Sequence, residues 1–396
     1  MGHSLPCRQK VSCYVTMAFT AISPANGCKI IREGVMAIGS ILNIATIIKM
    51  NIKKECLAQL DMAYAINIFR IGNKTYCICA SESRNGKIVL IDCQTRAVHT
   101  INGLAGGIMS IIPIPEEKAS FIAIQKFYPV FQSEKAEIVK IHFIIGDTDE
   151  INAQVVPIAQ LPYVHRIMLA GSPGRRKIIA GTLCQEKAYE QDWSTAGAVY
   201  LIDLSDNPHG NTRVICLLDG IHKHHGMFVD PESNVFISGE EGVFSIDVRD
   251  DTFITKKELS DSVSDLCLFD IDDDGEKEMI AIKPFHGDSL SFLRKTRNQW
   301  QCIAQDNISF GHALWCGKIE GKPYAIVCSR GSDKVISLYE LKTDSEGGIA
   351  YVKSTIDSGV GASNIVVDQE RGKTVLYTAN HGANEVARYS ISGIVN

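Results

Sequence analysis

Lys177-Ile-Ile-Ala-Gly181, followed after a polar loop by Ala198-Val-Tyr-Leu-Ile-Asp203, is the stretch on which the fold turns. Each half is a short apolar run bounded by turn and charged residues, too short for a helix and right for a buried strand. The unit recurs as Lys74–Ala80 with Gly86–Asp92, Asn234–Gly239 with Gly242–Asp247, and Glu278–Lys283 with Ser289–Arg294. It returns as Pro323–Ser329 with Lys334–Glu340 and as Thr374–Ala379 with Asn384–Ser390. A less regular copy lies at Ala119–Gln125 with Glu137–Phe143.

Seven copies at roughly 40–50 residues each match the blades of a β-propeller. The expected fold is therefore all-β, a seven-bladed propeller over residues 50–396. A ring of blades must close, because an open end leaves strand edges unpaired. The run Lys53–Leu60 has no blade of its own and is the expected N-terminal closing strand for the last one.

Residues 1–49 do not share the pattern. Their apolar stretch, Val35 to Ile48, is shorter than the ~20 residues a membrane span needs, and Lys49 follows it directly. It starts late for a signal peptide and has no small-residue cleavage site. Met50-Asn-Ile-Lys-Lys-Glu reads as a natural start, so residues 1–49 are expected to be an extension outside the fold. The alternative is a membrane tether; without one, a cytoplasmic location is expected and no membrane partner.

Composition narrows the function classes. Hydrophobic residues make up 45% and charged residues 21%, which suits a globular chain and not a disordered one. A net charge of −5 offers no basic stripe for phosphates, so no nucleic-acid partner is expected. The 13 cysteines show no CxxC spacing, which argues for reduced thiols rather than a thiolate metal site. P-loop, GxSxG, HExxH and WD signatures are absent.

Propeller geometry tells where each loop goes. The first strand of a blade starts at the top face beside the channel, and the loop between second and third strands returns there. His165, His225 and His312 open first strands, while His286 and His381 lie in second-to-third-strand loops. Five imidazoles from five blades thus point to one cavity, where neutral rings suit a divalent Zn, Mn or Fe ion. His222 and His224 flank the set, and a slip of one residue would exchange His224 for His225. Arg166, Asp288, Glu82, Lys126, Glu240, Lys283 and Arg330 fall at the same rim and suit a polar, hydroxyl-rich ligand. On the opposite face, Asp270, Asp272, Asp274 and Glu278 have the DxDxDG spacing of a calcium loop.

Several phrases resemble a known family. Asp270–Glu278 with Lys-Pro-Phe-His-Gly-Asp (283–288), Gly-His-Ala-Leu-Trp (311–315) and Ala-Asn-His-Gly-Ala-Asn-Glu-Val-Ala (379–387) resemble the propeller of the aldos-2-ulose dehydratase type, with its VCBS/FG-GAP-like repeats. The resemblance covers residues 160–390. It implies a metal-dependent lyase or dehydratase performing β-elimination on a keto-sugar or related carbohydrate. The ion would polarise the carbonyl, and a histidine not engaged by it would take the neighbouring proton. His165, His225 and His312 are then the expected ligands. His286 and His381 serve as ligand or base, with Arg166 and Asp288 as further catalytic candidates. Two alternatives stand beside it: a propeller lyase acting on uronic-acid oligosaccharides, and a non-catalytic protein-interaction propeller.

Overall fold

The computed structural model describes residues 50–393, apart from 129–131, 146–150, 205–211, 231–233, 250–251, 344–347 and 371. The expectation for residues 1–49 lies outside the described residues. Within them the chain forms strands and one 3-10 turn, His381–Ala383.

The strands make seven four-stranded antiparallel meanders. Blades 1 to 6 span 63–102, 110–160, 164–221, 227–259, 265–307 and 311–357. Blade 7 takes three strands from 362–393 and its fourth from Met50–Gln59. Every repeat recognised in the sequence supplies the second and third strands of one blade, the irregular copy becoming Ser120–Gln125 and Glu137–Ile145 of blade 2. The innermost strands pack in order around the axis, and Ala362–Glu370 of blade 7 lies back against Ala63–Ile71 of blade 1. The ring is closed.

The burial pattern explains the sequence pattern. Middle strands such as Ile88–Asp92 and Ser120–Gln125 are buried at every position, because neighbouring blades cover both faces of each sheet. Outer strands alternate: Val214–Ile221 shows one side to solvent and the other to the core. The closing strand pairs antiparallel with Glu385–Gly393 from Met50↔Gly393 to Gln59↔Glu385, which is the closure expected of it. Its Leu57 joins Val375, Tyr377 and Val386 in one apolar cluster. Lys54 binds Asp357 of blade 6 (2.8 Å) and Glu385 (2.7 Å), and Glu55 binds Arg96 of blade 1 (2.8 Å).

Blades 1 and 2 are also joined at their outer edge. Ile101↔Ile151 and Asn102↔Asn152 form a short parallel ladder, so their eight strands make one continuous sheet. The described cysteines are all free, as expected; Cys216, which sequence context places in an apolar run, is exposed on an outer strand. No helix among the described residues is long and apolar enough to cross a membrane.

Candidate active site at the top of the channel

A repeated backbone device builds the site. In four blades the innermost strand carries one extra residue near its top: Tyr64 in blade 1, His165 in blade 3, His312 in blade 6 and Ser363 in blade 7. A bulge removes its residue from the ladder and re-aims the side chain. Here it turns Tyr64, His165 and His312 into one buried cluster. His225 arrives just before the short strand Met227–Val229, its amide donating to the Ser238 carbonyl (3.3 Å). His286 comes from the second-to-third-strand loop of blade 5, in a left-handed conformation (φ 47°), its amide donating to Ser264 Oγ (3.1 Å).

The rings converge. Centroids lie 4.8 Å apart for His165–His225 and His225–His286, and 5.1 Å apart for His225–His312 and His286–His312. One nitrogen from each of His225, His286 and His312 comes within 4.8 Å of the other two. His312 Nδ1 donates to the Ser363 carbonyl (2.7 Å), which leaves Nε2 with its lone pair. That lone pair faces Tyr64 Oη (3.3 Å) and Arg330 Nη1 (3.1 Å). Tyr64 Oη also lies 3.2 Å from His165 Nε2. Phe285 and Phe310 stack on the two faces of His286, at 4.0 and 4.6 Å, and Phe127 closes the side toward His165.

Burial and charge keep these imidazoles neutral. Loss of solvation, followed by the positive charge of Arg166, holds His165 and His225 well below the usual histidine range. Burial and Arg330 do the same for His312, and lower His286 to about 3. Burial raises Tyr64 to about 12, so its hydroxyl keeps its proton. Four buried imidazole nitrogens have no hydrogen-bond partner: His165 Nδ1, His225 Nδ1 and His286 Nε2 in the cluster, and His224 Nε2 beside it. Buried polar atoms without partners are costly and uncommon. A divalent ion among neutral imidazole lone pairs removes that cost, so the donor set of His225, His286 and His312 fits one.

One residue below the bulges, a second layer lines the axis: Ala65, Arg166, Asp265, Ala313 and Asn364. Arg166 sits between the layers. Its Nε donates to the His225 carbonyl (2.8 Å), Nη1 to Asn364 Oδ1 (3.2 Å), and Nη2 lies 3.4 Å from His225 Nε2. Beneath it, inner-strand residues of all seven blades surround a channel of about 510 Å³. Burial pushes the Asp265 carboxyl up to about 7 against the pull of Arg166.

Not every expected residue joins the cluster. His381 is placed apart: its loop closes into the turn His381–Ala383, and its Nε2 lies 2.6 Å from Glu82 Oε1 at the rim. Asp288 is exposed, its carbonyl accepting the Ile308 amide. His222 pairs with Glu241 (2.6 Å). Of the adjacent pair, His225 enters the cluster, while His224 donates from Nδ1 to Ser238 O (2.8 Å) and lays its ring on Gly181. Tyr64, Asp265 and Asn364 were not expected; the signal that finds them is their place at or just below the bulge position of each repeat.

The acidic loop sits between the first two strands of blade 5. Asp270, Asp272 and Glu278 do gather, but Arg294 donates to Glu278 (2.8 Å) and Asp272 (2.6 Å). Asp270 accepts the amides of Asp274 and Gly275, and Asp274 accepts that of Glu276. The Arg294 guanidinium thus shares two of the three gathered carboxylates.

Gly181 gives a sharp test of this packing. A Cβ there would sit 1.8 Å from His224 Cδ2 and 2.0 Å from its Nε2. Gly181→Ala must therefore push a fully buried ring aside, and with it the adjoining His225. The expected loss is at least ~1–3 kcal/mol in denaturant unfolding. An unchanged midpoint would show that the ring has room to move.

No family model and no curated protein sequence matches this chain. Solved structures do resemble it in fold. The propeller domain of Myceliophteria thermophila Cps50 (Swd1) covers 86% of this chain and 100% of its own, at TM-score 0.53 and 12% identity. A streptogramin B lyase covers 87% and 98%, at TM-score 0.52 and 11% identity. Virginiamycin B lyase from Staphylococcus aureus covers 86% and 99%, at TM-score 0.52 and 12% identity. These likenesses bear out the propeller; none of them carries the resemblance to the aldos-2-ulose dehydratase type. The chain has the β-propeller fold.

Proposed function

We propose that this propeller is a metal-dependent carbon–oxygen lyase acting on a keto-sugar or related carbohydrate. The supporting observation is the convergence of three neutral imidazoles, of which His225 Nδ1 and His286 Nε2 lack partners while the His312 Nε2 lone pair faces Tyr64 and Arg330. A divalent Zn, Mn or Fe ion held by His225, His286 and His312 would supply Lewis-acid polarisation of a substrate carbonyl.

The remaining chemistry falls to groups of the chain. His165 lies outside the three converging nitrogens, is neutral, and keeps Nδ1 without a partner, which suits a base for the proton beside that carbonyl. As that C–H bond breaks, its electron pair forms the new double bond and the β C–O bond breaks. Tyr64, protonated and 3.2 Å from His165 Nε2, donates its proton to the departing oxygen and recovers one through His165. Arg166, fixed beneath the rings, favours the negative charge that builds up during proton removal.

Metal analysis of the purified protein tests this reading. One equivalent of a transition metal is expected in the wild type. His286→Ala and His312→Ala should each lower its affinity by ~100-fold or more, by removing one of three ligands. Full occupancy and unchanged turnover in both variants would sink the proposal. A protein that holds no metal at any stage would leave the non-catalytic interaction propeller in its place.

A further inference from the structure

Two guanidinium groups face the histidine cluster, and among the described residues neither has a carboxylate within 4.0 Å. Three other cations of the same rim are matched. Lys126 binds Glu137 (2.7 Å), Lys283 binds Asp261 (2.8 Å) and Lys223 binds Glu240 (3.2 Å). Glu82, an acid of that rim, is taken by His381 (2.6 Å). Asp265 acts on Arg166 from the same layer, whereas Arg330 has no counter-charge within 4.0 Å; that is expensive for a partly buried cation, and a site that keeps it beside neutral rings is built for a negative ligand.

The two arginines differ in what they have left to offer. All three nitrogens of Arg166 face protein atoms, the His225 carbonyl, His225 Nε2 and Asn364 Oδ1. Arg330 uses only Nη1, against His312 Nε2, and its guanidinium stands 5.8 Å from the Tyr64 ring centroid. Its Nε and Nη2 have no protein partner among the described residues. Those two N–H groups form the planar fork that matches one carboxylate in a bidentate pair. A phosphate, with three oxygens and more charge, would call for further donors.

We infer that the ligand of this site carries a carboxylate, which Arg330 receives at the mouth of the histidine cluster while Arg166 stands below it as a fixed counter-charge. A sugar acid is the substrate class that joins this group to the proposed elimination. The word substrate rests on the lyase reading; the charge of the ligand does not.

The test is calorimetric titration of the full chain with D-galacturonate, D-galactose and inorganic phosphate at constant ionic strength. Galacturonate is expected to bind about 10-fold or more tightly than galactose, the worth of one charge-assisted pair. Arg330→Met should erase that gap, and Arg330→Lys, which keeps the charge without the fork, should retain part of it. Equal affinities, no binding of galacturonate, or a full gap in Arg330→Met would overturn the inference. Phosphate binding tighter than galacturonate would overturn it too, in favour of a phosphorylated ligand. Metal content measured on the same samples separates the two proposals. Metal lost from the wild type with the gap intact removes the lyase reading alone, and the gap missing with metal retained removes this one alone.

Discussion

A chain that begins at Asp61 is expected to be unfolded or aggregated, whereas the full chain melts cooperatively. The contrast follows from what Met50–Gln59 holds. It supplies the whole outer edge of blade 7, from Met50↔Gly393 to Gln59↔Glu385. At about 0.5–1.5 kcal/mol net per hydrogen bond and about 1.5–3 kcal/mol for burying Leu57, its loss costs on the order of 5–10 kcal/mol. That is comparable with the entire stability of an ordinary domain. The Lys54 and Glu55 pairs add ties to blades 6 and 1, so removal also unfastens the ring. Circular dichroism and gel filtration of the truncated and full chains decide the matter. A monomeric, cooperatively melting 61–396 chain would show that blade 7 stands on three strands.

Mild acid should unfold the metal-free protein. His165, His225 and His312 are held well below the usual histidine range by burial, with His224 lowered to about 4 and His286 to about 3. Above pH 6.5 these rings are neutral in both states and cost nothing. As pH falls below 6.5 the unfolded chain binds protons that the folded one refuses, so stability drops until each folded value is reached. Asp265 acts the other way. Its folded value of about 7 stands above the unfolded one, so between about 7 and 4 it binds a proton on folding and offsets one histidine. About four protons net, at about 1.4 kcal/mol each per pH unit, remove roughly 5–8 kcal/mol between pH 7 and 5. Urea unfolding at several pH values in the presence of a chelator measures it. A midpoint independent of pH across that window would mean the cluster is not buried and neutral.

The ring of blades was open to reading because middle strands covered on both faces must be apolar throughout. Ile88–Asp92 and Ile178–Ala180 announce themselves for that reason. Blade 4 shows the limit: its innermost strand is only Met227–Val229, and only the neighbouring strands mark it. His165, His225, His286 and His312 were legible from repeat position alone, since that position sets height along the axis. His381 occupies an equivalent position but was captured by Glu82, a partner 299 residues away that no local pattern reveals. Tyr64 was hidden for the opposite reason: between Ala63 and Ala65 it looks like an ordinary core aromatic, and only the bulge turns it inward. Arg294, which answers the acidic loop, comes from the following hairpin strand and was equally invisible.

The seam between the outer strands of blades 1 and 2 has a mechanical meaning. Joined at Ile101↔Ile151 and Asn102↔Asn152, these two wedges must tilt together, like a double-width stave in a cask. Among the described residues no other pair of neighbouring blades shares a strand ladder; they meet through side chains and single backbone bonds such as Gly311 N–H to the Gly287 carbonyl (2.8 Å). Breathing of the ring is thereby steered toward the opposite arc, blades 4 to 6, which bear His225, His286 and His312. A ligand held by those three histidines would bridge blades whose sheets are separate, so it would act as the tie that the ladder provides on the other arc.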